Sequence, residues 1–178
     1  IEIREAIPID AKKINQYSHT IYATSDHLIT RADEFRMNPM RQRFWIARKS
    51  ANPYETCLIA TRNREVLGML DSWTDTRKRV RHVTTFSISV HPESRQQGIG
   101  ARLLRHYIAW VQQNPRLQKI ELHVHADNKA AHALYRKLGF VEEGVRKAAI
   151  QISDNHFTDD ILMAYWPNSS SIEAEKKE

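Results

Sequence analysis

A chain of 178 residues, 41% hydrophobic and 27% charged, has the size and composition of one globular domain with a substantial core. No apolar run approaches the roughly 18–20 residues that cross a bilayer as a helix, which excludes a helical membrane protein. The lone Cys57 excludes an internal disulfide and fits a reducing, cytoplasmic setting. The net charge of +6 is concentrated locally. Arg77-Lys78-Arg79 with Arg81 falls at a predicted hairpin turn, and Arg95, Arg102 and Arg105 gather around a glycine-bearing loop that suits an anionic ligand. No zinc-finger or single-strand-binding motif accompanies this charge, so nucleic acid is not the expected partner.

In chain order, Ile1–Arg4 alternates as an opening strand, and Asp10 is placed to cap a helix through Ile14, Tyr17, Ile21 and Tyr22. Residues 25–54, with Pro39, Pro53 and the pair Phe44-Trp45, read as a second, irregular helical region. Three antiparallel strands are predicted next: Thr56–Thr61, Val66–Trp73 after the turn at 62–65, and Val80–Val90. Cys57 lies in the first of them, as a buried, inert thiol. A helix over 98–113 stops before Pro115, Ile120–His125 forms a buried strand, and a helix over 128–138 ends at Gly139. Strand follows at 140–144 and 148–153, then a turn at Asp154-Asn155 and a last strand over Asp160–Trp166. Beyond it, residues 167–178 form a polar tail expected to fray or to make a marginal helix.

The loop before the 98–113 helix carries the first chemical signal. Arg95-Gln96-Gln97-Gly98-Ile99-Gly100-Ala101 follows a strand and opens a helix, where unpaired backbone N–H groups and the helix dipole seat a phosphate or pyrophosphate. The spacing lacks the third glycine of a dinucleotide fingerprint and the Gly-Lys-Ser/Thr of a nucleoside triphosphate loop. On these residues alone, a simple strand-to-helix turn stands level with an anion seat. A second segment runs Ile120 to Phe140, with Asn128 opening a helix that carries Tyr135 and ends at Gly139-Phe140.

Together the two segments resemble the GNAT superfamily of acetyl-CoA-dependent N-acetyltransferases. The family's loop Arg/Gln-x-x-Gly-x-Gly/Ala is matched by Arg95 to Gly100. Its Asn-to-Tyr helix ending in Gly-Phe is matched by Asn128, Tyr135, Gly139 and Phe140. The likeness extends over residues 1–166 as an order of elements and over about 83–145 as motifs. It implies an α/β (α+β) fold: a mixed, mostly antiparallel sheet of about seven strands flanked by helices, in which a parallel pair splays to admit acetyl-CoA. By the same resemblance, the amides of Gln97, Gly98, Ile99, Gly100 and Ala101 hold the pyrophosphate, with Gln96 in the loop and Arg95 adding charge. Strand Ile88-Ser89-Val90 pairs with the pantetheine arm, Asn128 bonds that arm while also capping its helix, and Ala131 lies one turn on.

Tyr135 would protonate the departing thiolate, since a phenol of pKa near ~10 suits a thiol of ~8.5 or higher without a large shift. Without the family context, a core aromatic with a satisfied hydroxyl is the preferred account of this residue. Many relatives carry a Glu on the strand before the loop as general base, and Val83–Ser89 has no carboxylate. Asp71 and His82 are substitutes, beside a water chain ending on a backbone carbonyl. His123 and His125 share a strand face but fall short of the three or four ligands of a zinc site, so no metal is expected.

The implied activity is transfer of acetyl to a primary amine of a small molecule, amino acid or peptide, in a ternary complex. The stretch Phe140–Trp166 looks most like bacterial members that acetylate free amino acids or related small molecules. The competing class is a non-catalytic CoA-binding or regulatory module, favoured by the missing carboxylate and opposed by Tyr135. A homodimer is the common assembly among similar proteins.

Overall fold

The computed structural model describes residues 1–168. The elements are β1 (Glu2–Glu5), α1 (Ala11–Thr24), α2 (Pro39–Ser50), β2 (Cys57–Arg62), β3 (Glu65–Thr74), β4 (Val83–Val90), α3 (Ile99–Gln112), β5 (Lys119–His125), α4 (Lys129–Lys137), β6 (Val141–Ser153) and β7 (His156–Tyr165), with short 3-10 turns at Pro8–Asp10 and Pro92–Ser94. The strands make one seven-stranded sheet in the order β1-β2-β3-β4-β5-β7-β6. Every neighbouring pair is antiparallel except β4–β5, which is parallel.

Two apolar clusters sandwich the sheet. On one face α3 and α4 bury Leu103, Leu104, Tyr107, Val111 and Tyr135 against Leu70, Phe86, Ile120 and Leu122. Seen from α3, this follows from apolar residues recurring at helical spacing along one side of the helix. On the other face α1 and α2 bury Ile14, Tyr17, Ile21 and Ile46 against Cys57 and Ile59. Gly68 lets α3 approach closely: a Cβ there would sit 3.0 Å from both Ile99 Cγ2 and Leu103 Cδ1.

Most predicted elements are found within a few residues of their expected ends, and the differences have local causes. Asn63 and Arg64 both adopt positive φ (51° and 65°), which closes the β2–β3 hairpin tightly. The strand expected from Val80 starts at Val83, because residues 77–80 coil into a turn closed by Val80 N–H to Arg77 O. The two predicted segments 140–144 and 148–153 are one long strand, β6, whose register shifts three times against β7. Ala148 sits at φ 48° in one of those irregular stretches. Asp10 occupies the N-cap position of α1 without capping it. Its carboxylate instead receives Arg4 at 2.7 and 2.8 Å and the Ile7 N–H at 2.9 Å, tying the end of β1 to the turn. The expectation for the tail past residue 168 lies outside the described residues.

Candidate active site

The site starts from missing hydrogen bonds. β4 and β5 pair only at Val83–Lys119, Thr84–Ile120 and Thr85–Glu121. Beyond them, Phe86–Val90 and Leu122–His125 run on unpaired to each other, although each strand stays bonded to its antiparallel neighbour. The sheet therefore opens as a wedge with its vertex at Thr85–Phe86 and its mouth at Val90 and His125. Ile88, Ser89 and Val90 all lie on the open edge of β4. Ser89 is further fixed by a 2.9 Å bond between its hydroxyl and that of Tyr17 on α1.

The glycine-bearing loop closes the mouth on the β4 side. Gly98 is the N-cap of α3 at φ 73°, and no side chain caps this helix. The first bond into the helix runs from Arg102 N–H to Gly98 O at 3.1 Å, so the amides of Gly98, Ile99, Gly100 and Ala101 precede the ladder. Gln96 also takes positive φ (60°). A Cβ on Gly98 would meet nothing within 4 Å, which leaves the loop open to a ligand, whereas Gly100 faces Leu134 of α4 and Val90. Ile99 contributes only backbone, since its side chain is buried against Gly68. The Gln97 side chain folds back onto Glu93 O, and Arg95 Nε lies 3.4 Å from Val90 O with its guanidinium at the surface. Asn128 caps α4 by accepting the Ala131 N–H at 3.2 Å, which occupies its side-chain oxygen and leaves its NH2 group.

Tyr135 sits at the vertex. It is 6% exposed, with its ring edge-on to Phe86 at 6.0 Å and tilted against Phe140 at 5.9 Å. Burial alone pushes its pKa well above the ordinary phenol value. Its hydroxyl has no hydrogen-bond partner among the described residues, unlike those of Tyr17 and Tyr107. The sequence argument from an unshifted phenol is therefore corrected: burial holds this proton more tightly than an ordinary phenol does.

The α1 face of the wedge is polar. Strand partners place Asp71 beside Ser87 and Met69 beside Ser89. A groove between α1 and β4 is lined by Tyr17, Tyr22, Leu28, Met69, Ser87 and Ser89. Asp71 lies 2.9 Å from Lys49 Nζ, whose ammonium also meets Glu55 at 3.1 Å and donates to Ser72 O. Burial raises the Asp71 pKa to about 6 against the opposing pull of Lys49. His82 is at the far, closed end, where its carbonyl accepts from Gln118 and Lys119, so it does not reach the wedge.

Three groups on this face were not singled out as site residues from sequence. His123 Nδ1 lies 2.8 Å from Asp160 Oδ2, and Arg146 reaches the same oxygen at 3.0 Å. His125 is buried with neither ring nitrogen bonded, and burial lowers its pKa, so it stands neutral. His27, from the stretch after α1, stacks edge-on to it at 5.8 Å, bringing the 25–54 region across to β5. Among the described residues no three His, Cys, Asp or Glu side chains form a metal site. Cys57 is buried, and burial raises its thiol pKa far above the ordinary value.

The model of the acetyltransferase (GNAT) family matches residues 21–140. The chain belongs to the GNAT family. Among its relatives, the L-amino acid N-acetyltransferase AaaT of Escherichia coli is 31% identical over 120 residues, 67% of this chain and 74% of that protein. The [ribosomal protein bS18]-alanine N-acetyltransferase of Escherichia coli is 34% identical over 97 residues, 54% of this chain and 64% of that one. A GNAT acetyltransferase from Streptococcus pneumoniae superposes with a TM-score of 0.88 at 28% identity, covering 93% of this chain and 98% of its own. The fold is also shared with yncA from Salmonella typhimurium, solved with its cofactor acetyl-CoA, at a TM-score of 0.82 and 17% identity over 93% of each chain. No helix among the described residues of this GNAT protein is long and apolar enough to cross a membrane.

Proposed function

We propose that the protein transfers acetyl from acetyl-CoA to the α-amino group of a free amino acid or of a peptide N-terminus. The observation that carries this reading is the wedge between β4 and β5, with uncapped amides at its mouth and Tyr135 at its vertex. Acetyl-CoA supplies an acyl group activated as a thioester. The amides of Gln97 to Ala101 fit its pyrophosphate, and the surface guanidinium of Arg95 adds attraction. The open edge of β4 at Ile88, Ser89 and Val90 suits the amides of the pantetheine arm, which would lie there as an added strand. The free NH2 of Asn128 and the surface of Ala131 face the same course. From the vertex, Tyr135 delivers its proton to the departing sulfur.

The acceptor enters from the α1 face, by the groove at Tyr22 and Ser87. The two relatives' names, one an amino-acid and one an alanine acetyltransferase, support an α-amine as the group acetylated. Asp71 is placed on this face to attract an ammonium ion, and it is one destination for the acceptor's proton. Its oxygen near Lys49 is already engaged, which weighs against that second role. The test is thiol release from acetyl-CoA across a panel of L-amino acids and alanine-initiated peptides, with cofactor binding followed by calorimetry. Turnover on at least one α-amine is expected. Binding without turnover on any amine would favour a non-catalytic CoA-binding module, and no binding would overturn the reading.

A further inference from the structure

An amine attacks a thioester only when neutral, and the nitrogen must shed a proton as the new bond matures. That proton needs a base on the acceptor side of the wedge. We infer that His123, held by Asp160, is that base. The inference rests on the acetyltransferase reading and names a group within the same site.

Four observations converge on the residue. First, His123 lies on the unpaired part of β5. Continuing the β4–β5 register past Thr85–Glu121 sets it opposite Ser87, next in the chain to Phe86, on which Tyr135 packs. Second, it faces the acceptor side: residues two apart on a strand share a face, and His125 on that face stacks against His27 from the stretch after α1. Third, Asp160 is buried at 3% exposure and lies 2.8 Å from Nδ1 of His123. A carboxylate there accepts Nδ1–H, which fixes the ring orientation and leaves the lone pair on Nε2. Fourth, the His123 side chain is 49% exposed, so the ring is within reach of an incoming amine.

Asp71, the alternative on this face, is opposed by an ammonium ion at 2.9 Å. His125, though unbonded, lies two residues nearer the mouth and further from Tyr135. The step balances as follows. The amine nitrogen forms a bond to the acetyl carbon and gives one proton to His123 Nε2. The carbon–sulfur bond breaks, the sulfur takes the electron pair and then the Tyr135 proton, His123 releases its proton to solvent, and the Tyr135 phenolate takes one back from solvent, so no net proton is gained or lost. Asp160 touches no reacting atom and is a positioning residue, shared with Arg146 at 3.0 Å.

The charged and titratable groups around His123 are Asp160 on β7, Arg146 on β6, and His125 with the Lys119–Glu121 pair on β5 itself. His27 and Asp127 belong to the flanking loops. The experiment measures thiol release by wild type, His123→Ala, His123→Gln and Asp160→Asn with the best α-amine of the panel. Acetyl-CoA affinity and melting temperature are recorded for each. The expected result for both His123 variants is a fall in kcat of roughly 10²–10⁴-fold with cofactor affinity kept within a few-fold. Free imidazole should restore part of the His123→Ala rate, as no purely structural role would allow. Asp160→Asn should lower kcat more than it raises the acceptor KM, with Asp160→Glu recovering part of the loss. A wild-type rate in the His123 variants, or a loss that imidazole does not touch, overturns the assignment while leaving the acetyltransferase reading standing. No thiol release by wild type on any amine overturns both.

Discussion

Replacing Tyr135 by Phe should abolish most of the catalysis and leave stability nearly unchanged. The substitution deletes one hydroxyl and leaves the ring contacts to Phe86 and Phe140 at 6.0 and 5.9 Å in place. That hydroxyl is carried by a residue 6% exposed and has no bond within the described residues. The oxygen is not among the fully buried side-chain atoms that lack a partner, so it reaches solvent and escapes the about 1–3 kcal/mol cost of a sealed, unpaired group. Removing it should therefore change stability by less than about 1 kcal/mol, or less than roughly 2–4 °C in Tm for a chain of this size. Loss of the general acid should lower kcat by about 10²–10⁴-fold, equivalent to about 3–5 kcal/mol of barrier. Thermal unfolding of the cofactor-free protein reads the first effect, and thiol release at saturating acetyl-CoA reads the second. Because burial raises the phenol's pKa, this acid should impose no alkaline limb on kcat below about pH 10. A Tyr135→Phe destabilised by well over about 1 kcal/mol would refute the unpartnered hydroxyl, and an unchanged kcat would refute the acid role.

Two neighbouring glycines should behave differently toward acetyl-CoA. Gly98→Ala forces an L-residue to φ 73° at a cost of about 1–2 kcal/mol and puts a methyl into open approach space, so calorimetry should show at least a tenfold weaker complex. Gly100→Ala, whose Cβ makes ordinary contacts with Leu134 and Val90 at 3.4 and 3.7 Å, should keep near-native affinity. Asp71→Asn tests linkage. A carboxyl raised from 3.8 to about 6 in the fold makes the folded state bind protons more tightly, so wild-type stability is favoured at low pH and falls as pH rises through 6. Urea unfolding of wild type should thus lose about 2–3 kcal/mol relative to Asp71→Asn between pH 4 and 7, and parallel pH curves would refute it. Gly68→Val should overpack the α3–sheet contact, where a Cβ already meets two side-chain carbons at 3.0 Å, and lower stability by about 1–3 kcal/mol in the same assay.

The turns and helix ends of the candidate cofactor side were legible because their requirements are local. Gly98 at positive φ, Asn128 bonding an amide three residues on, and Gly139 closing α4 each serve a backbone geometry set within one turn, and such needs leave a readable residue. The wedge was available only through family resemblance, because Phe86–Val90 looks the same in sequence whether or not a neighbour pairs with it. The proposed acceptor side was mostly hidden. His123 and Asp160 are 37 positions apart and meet only through the β5–β7 register, and Arg146 joins them through β6–β7. Two histidines share one strand face in the sequence, and the carboxylate that faces one of them appears only in the fold. Asp10 was misassigned as a cap because Arg4, across the turn, competes for the same oxygens.

The parting of β4 from β5 leaves two strand margins unmet in the middle of a sheet, where most proteins tolerate exposed ladders only at the periphery. A pantetheine arm lying along β4 would act as a missing rung, so acetyl-CoA would be part of the architecture as well as the reactant. At a hundredfold excess over its dissociation constant, such a ligand adds about 2.7 kcal/mol to folding. A shortage of acetyl-CoA would then slow the reaction and also leave the enzyme easier to unfold and degrade, coupling its lifetime to the supply of its own donor.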